Sequence, residues 1–292
     1  MQVPAPFEYE RATSVDHALQ LLVQLGPESR ILAGGYSLLP MMKLRLATPK
    51  WLIDIDDLAD ELGYVEEDGE AIRIGAMTRH RDLLESPLLA RLAPIFRDAE
   101  LEIADPVVRN RGTIGGALCQ ADPSEDLSAV CTAVDAEIVV RSLEGDRILH
   151  MEDFYRGPYQ TAVAPEEIVV EIRVPTRAAL GSAYEKINRR VGDWAVAAAG
   201  AALTIEDGAI TDAGIALVAV GAEVSSAVAR EALIGQEPTE EVFEEAAAAG
   251  AAACNPITDQ RGSAEYKRHA VGVLAARAMG RAAERLGAEV AP

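Results

Sequence analysis

Two glycine-rich stretches hold the residues best suited to chemistry. The first, Ala33-Gly34-Gly35-Tyr36-Ser37, lies between a short apolar run and a helix start. Glycine lets a backbone come close to a ligand, and unblocked N–H groups ahead of a helix favour an anion. Its spacing is not Gly-x-Gly-x-x-Gly, so it does not indicate a Rossmann dinucleotide site. The second stretch, Arg109-Asn110-Arg111-Gly112-Thr113-Ile114-Gly115-Gly116, adds a hydroxyl and flanking cations. It suits a backbone folded around a diphosphate. Asp126, a little further on, offers a carboxylate that can accept hydrogen bonds from sugar-alcohol hydroxyls. Taken singly, the first stretch also fits an ordinary tight turn and the second a plain glycine-rich loop.

The remaining reactive side chains form no constellation. Cys119, Cys131 and Cys254 match neither a zinc knuckle nor an iron–sulfur ligand set, and they read as reduced thiols at small, buried, apolar positions. His17, His80, His150 and His269 are scattered without metal-ligand spacing, and are expected on surfaces or helix ends. No metal site and no acid or base catalyst is indicated.

These residues need a scaffold, and hydrophobic periodicity supplies one. Phe7–Glu10 reads as a strand. Ser14 caps a helix with Val15, Ala18, Leu19, Leu22 and Val23 on one face, closed by Gly26. Arg30–Ala33 and Trp51–Ile55 read as further strands, with a helix over 37–46 between them. From Gly63 the pattern changes: Tyr64–Glu67 and Ala71–Ile74 form a hairpin about Asp68-Gly69. A helix over 79–100 follows, then a helix over 126–134 and strands at 137–142, 147–150 and 167–174. Beyond a polar joint at 176–182, strands at 182–188, 195–206 and 210–220 lead into Ala-rich helix. The expected domains are 1–177, with lobes 1–57 and 58–177, and 178–292.

Charge narrows the partners. A net charge of -20 opposes approach to phosphodiester backbones and anionic lipid surfaces. Residues 1–10 lack a basic start followed by an apolar stretch. The longest apolar run, near 195–203, is too short and Ala-rich to span a bilayer. A cytoplasmic location with no integral membrane segment is expected.

The stretches AGGYSLLPMMKLRLATPKWLIDI (33–55) and RNRGTIGGALCQADPSEDL (109–127), with Tyr184-Glu185-Lys186 and Gly192-Asp193-Trp194-Ala195, together resemble the FAD-binding medium subunits of molybdenum hydroxylases, the xanthine dehydrogenase and aerobic carbon monoxide dehydrogenase family. Motif order, spacing and length agree over nearly the whole chain. Tyr36 departs from the pattern, standing where His or Gln is common.

The resemblance implies an α+β fold: a two-lobed FAD-binding domain of p-cresol methylhydroxylase and vanillyl-alcohol oxidase type, followed by a C-terminal sheet-plus-helices domain. It implies that Ala33, Gly34, Gly35, Tyr36 and Ser37 form one diphosphate loop, and Thr113, Ile114, Gly115 and Gly116 the other. Asp126 matches a carboxylate on the FAD chain, Ile168 and Val169 an apolar strand beside the flavin ring, and Lys186 a cation at the ring's polar edge. Trp194 is an aromatic that could cover one face of the ring. No histidine lies in these motifs, so non-covalent FAD is implied.

It further implies an electron-transfer subunit. A molybdopterin-binding large subunit hydroxylates the substrate, a small subunit with [2Fe–2S] clusters relays electrons, and FAD passes them to quinone, NAD or oxygen. The implied assembly is a heterotrimer, commonly doubled into a dimer of heterotrimers. Two alternatives stay open: a stand-alone FAD oxidoreductase of the same fold, and a non-catalytic nucleotide-binding assembly partner.

Overall fold

Parallel strands joined through helices build the first lobe. The computed structural model describes residues 3–177, 180–221 and 224–287. Strands Glu8–Arg11 (β1), Ser29–Leu32 (β2) and Trp51–Asp54 (β3) form a three-stranded parallel sheet in the order β1-β3-β2. The crossover helix Val15–Leu25 starts where Ser14 Oγ accepts the His17 N–H at 3.1 Å, and stops at Gly26, whose φ is +70°. Its buried arc holds Val15, Ala18, Leu19 and Leu22 as expected, but extends to Leu21 and leaves Val23 exposed. The helix expected over 37–46 is confined to Leu38–Lys43, because the backbone turns left-handed at Arg45 (φ +61°).

The second lobe is a five-stranded antiparallel sheet made of Val65–Asp68 (β4), Ala71–Gly75 (β5), Glu137–Ser142 (β6), Gly145–His150 (β7) and Ile168–Pro175 (β10), in the order β4-β5-β10-β6-β7. A short ribbon, Tyr155–Gly157 (β8) with Gln160–Thr161 (β9), flanks it. The single helix expected over 79–100 is three: His80–Glu85, Pro87–Leu92 and Ile95–Glu102. Pro87 and Pro94 lack the N–H a continuing helix needs, and each restarts the chain instead. Helix Ile114–Gln120 has no counterpart among the expected elements, since its first turn is the second glycine stretch. Helix Asp126–Ala133 follows, capped by Glu125 through the Ser128 N–H at 2.9 Å.

In the C-terminal part Leu180–Ile187 (β11), Ala197–Glu206 (β12) and Ala209–Val218 (β13) make a three-stranded antiparallel sheet. Residues 197–204 of β12 are all buried, so this strand reads as a continuous small apolar run without alternation. Helices of the second lobe cover one side of the sheet: a Cβ at Gly200 would stand 3.2 Å from the Ala129 carbonyl, and one at Gly214 would strike that of Ala133. Helix Ala264–Arg285 covers the other, where Gly181 gives the same room to Ala282. The joint expected near residue 178 falls on residues outside those described. Among the described residues no helix is long and apolar enough to cross a membrane.

Candidate functional site

The two glycine stretches meet. Gly34 lies flat on the second stretch: a Cβ there would strike the Arg111 carbonyl and stand 2.7 Å from Gly112 Cα. Gly34 and Gly112 are absent from the residues of positive φ, so space, not backbone angle, demands glycine at this crossing. Gly35, at φ +80°, is the one that turns the chain. Gly115 is buried against Ala76, where an added Cβ would be 2.8 Å from the carbonyl oxygen. At Gly34 and Gly115 the side a Cβ would take is thus filled by protein. Gly116 differs. It is exposed, and its added Cβ would meet only Thr113 Oγ1 at 2.8 Å and Ala33 Cβ at 4.0 Å.

Backbone donors divide the labour between the stretches. In the second, Ile114 N–H donates to Thr78 O (3.1 Å), Gly115 N–H to Ala76 O (2.9 Å), Ala117 N–H to Thr113 O (2.9 Å) and Gly116 N–H to Thr113 Oγ1 (3.1 Å). Those donors are spent on the protein. In the first, the N–H groups of Gly34, Gly35, Tyr36 and Ser37 donate to no acceptor among the described residues. Consecutive unspent N–H groups on a partly exposed loop form an anion-binding nest. The first stretch therefore supplies donors, and the second supplies a wall with Gly116 and Cys119 on its exposed face. Cys119 departs from the expected buried thiol, whereas Cys131 is buried. Gln120 Nε2 reaches Met41 Sδ at 3.3 Å and closes one end between the short helices.

Charged groups tie the lobes behind this crossing. Asp56, just after β3, takes Arg79 at 2.6 Å and Arg111 at 3.2 Å from the second lobe. Partial burial works against its charge, but the two guanidinium groups prevail and hold its carboxyl below the ordinary range. His80 lies at a helix end as expected, but its ring is buried and not at a surface. Its Nδ1 stands 2.9 Å from Glu100 Oε1, and Glu100 is wholly buried. Burial opposes charge on the ring, yet the Glu100 carboxylate raises its pKa above the usual imidazole value. Nothing in the sequence signals this pair, whose members lie in different helices.

Asp126 and Lys186 come together as well. Lys186 Nζ, almost fully buried, donates to Asp126 Oδ2 at 2.8 Å and to Glu102 O at 3.3 Å, and the Tyr184 hydroxyl donates to Asp126 Oδ1. Burial pushes the Asp126 carboxyl up against the opposing pull of Lys186. Next to it, Glu125 is driven to about 8, by burial first and then by the Asp126 charge. Trp194 is 40% exposed, on a loop whose Gly192 (φ +75°) packs against Ala104. Ile168 and Val169 are buried, the first in the core of the first lobe and the second in that of the second. The bulge just beyond them reaches the wall: Val170 O accepts Ala76 N–H at 3.0 Å, and Ala76 O accepts Gly115 N–H. A groove of about 960 Å³ elsewhere, between helices Glu240–Ala253 and Ala264–Arg285, is lined by no residue of either stretch.

An open row of backbone donors beside a glycine wall suits a diphosphate-bearing cofactor. Residues 5–177 match the model described as the FAD binding domain in molybdopterin dehydrogenase, and residues 182–282 that of the CO dehydrogenase flavoprotein C-terminal domain. The chain belongs to the FAD-binding medium-subunit family of molybdenum-dependent dehydrogenases and hydroxylases. It is 42% identical to the carbon monoxide dehydrogenase medium chain of Hydrogenophaga pseudoflava, over 95% of this chain and 97% of that one. It is 36% identical to the nicotine 6-hydroxylase medium subunit of Paenarthrobacter nicotinovorans, over 91% and 93%. Among solved structures, carbon monoxide dehydrogenase from Hydrogenophaga pseudoflava superposes with a TM-score of 0.93, covering 97% of this chain and 99% of that one. Quinoline 2-oxidoreductase from Pseudomonas putida 86, at 29% identity, gives 0.90 with the same coverage. The α+β fold, the FAD-binding domain and the place in an oxidoreductase follow.

Proposed function

We propose that this chain is the FAD-carrying electron-transfer subunit of a multi-subunit molybdenum hydroxylase, taking electrons from [2Fe–2S] clusters of a partner and delivering them to an external acceptor. The observation that carries the reading is the crossing of the two stretches, with unspent donors on one side and the Gly116 wall on the other. FAD, held non-covalently, supplies a centre able to take up electrons and pass them on. Gly34, Gly35, Tyr36 and Ser37 would donate to its diphosphate, with Ala33, Thr113, Ile114, Gly115 and Gly116 bounding the space. Trp194 would cover one ring face, and β10 at Ile168 and Val169 would back the other side. Lys186 and Asp126 would act at the polar edge as one unit, because neither charge is free of the other.

The domains on this reading are 1–177 and 178–292, with lobes 1–57 and 58–177. The partners are a molybdopterin-binding large subunit and a [2Fe–2S] small subunit, doubled into a dimer of heterotrimers in the cytoplasm. Co-expression with both partner subunits, followed by addition of the large subunit's substrate without oxygen, tests this. The oxidised-flavin absorption should bleach, and acid precipitation should release the flavin into the supernatant. Flavin that stays oxidised in an intact, substrate-turning complex would overturn the electron-transfer role.

A further inference from the structure

Three layers stack behind the cofactor crossing. Gly34 rests on Arg111 and Gly112, Gly112 rests on the His80 ring, and His80 is held from behind by Glu100. The contacts are close. A Cβ at Gly112 would stand 2.6 Å from His80 Cδ2 and 3.0 Å from Nε2, while the His80 N–H donates to Gly112 O at 3.2 Å. The neighbouring segment follows the same line, with the Arg79 guanidinium on Arg111 O, Thr78 O on the Ile114 N–H and Ala76 O on the Gly115 N–H. Glu100 Oε1 and Oε2 lie 2.9 and 3.2 Å from His80 Nδ1, so the buried ring is anchored at that nitrogen.

We propose that His80 is a positioning residue for FAD: its ring, locked by Glu100, is the spacer that sets the height of Gly112 and, through it, of the donor loop at Gly34. The inference rests on FAD binding at this crossing. His80 need not touch the cofactor. A buried ring fixed by Glu100 on one side and packed under Gly112 on the other is stiff, and a shift of a few tenths of an ångström at Gly112 passes to Gly34 because the intervening contacts have little slack. Removing only one partner would strand a buried charge, so the two must be changed together to isolate the spacer.

The test uses the full-length chain freed of flavin, titrated with FAD by fluorescence, with the melting temperature of the apo chain followed in parallel. Gly112→Ala should weaken FAD by roughly tenfold or more, equivalent to about 1.4 kcal/mol. His80→Ala with Glu100→Gln should do the same. Adding Gly112→Ala to that double variant should cost much less than it costs the wild type, because the new methyl enters space the ring has left. This rescue is what a merely destabilising role would not produce. Additive losses, or wild-type affinity in the double variant, would refute the spacer. If the double variant does not fold, His80→Gln keeps a donor for Glu100 without the flat ring and should still weaken FAD several-fold; unchanged affinity there would likewise overturn the spacer. A folded wild-type chain without affinity for FAD would instead defeat the site reading itself.

Discussion

Neighbouring glycines carry different duties. Gly115 serves the fold, since its added Cβ would press on the Ala76 backbone, which cannot step aside; Gly116 is exposed, and its added Cβ would press only on the Thr113 hydroxyl that caps the helix. Gly115→Ala should therefore destabilise the apo chain by about 1–3 kcal/mol, as overpacking does. Gly116→Ala disturbs only the Thr113 cap, so it should cost the apo chain less, about 1 kcal/mol at most, and weaken FAD binding. Denaturation and FAD titration of both variants check this, and equal melting temperatures would show the assignment to be wrong. Sequence could mark both glycines because their spacing is local. It could not say which side of each is solvent, since Ala76 lies in another segment. His80 and Glu100 were illegible for a related reason: their meeting depends on two helices crossing, and neither belongs to a motif.

Helix starts govern the second lobe. The prolines that cut 79–102 into three helices were visible in the sequence, yet an apolar pattern running through Pro87 and Pro94 masked the breaks; the strands, whose turns carry Gly69 and Gly145, were easier to read. Helix Asp126–Ala133 is unusual in that its capping residue, Glu125, is buried and has its pKa raised to about 8. In the unfolded chain that carboxyl titrates near its ordinary value of 4.5. Between those two values the folded state holds a proton the unfolded state has lost. The sign follows: this contribution is complete below the unfolded pKa and disappears as pH rises through the folded one. His80, also raised, acts in the same direction. Apo-chain stability should fall from pH 5 to 8 by up to about 1.4 kcal/mol per pH unit from this group. Glu125→Gln should flatten the profile, as measured by urea unfolding at several pH values. A wild-type profile that climbs over this range would contradict the raised pKa.

Across the domain joint an apolar core shared by the second lobe and the C-terminal sheet is supplemented by buried charge. Asp126 lies on a helix of the second lobe and Lys186 on β11, so their 2.8 Å contact, with the Tyr184 hydroxyl, joins the FAD-binding domain to the C-terminal sheet. Arg281 and Arg285, partly exposed, pair with Asp98 across the same joint. A lysine alone would favour electron-rich flavin, but one bonded to a carboxylate acts on the ring as a dipole with a weaker field. If Lys186 lies at the ring's polar edge as proposed, domain union and cofactor tuning are coupled. Lys186→Met should cost about 3–5 kcal/mol, since it strands the Asp126 carboxylate in a buried site. Lys186→Met with Asp126→Asn should recover most of that loss, and should bind FAD better than the single variant does. Chemical denaturation and FAD titration of the two variants decide the point. If Lys186→Met alone is as stable as the wild type, the pair does not hold the domains together; if the double variant is no better than the single, the loss comes from lysine packing and not from the unpaired charge.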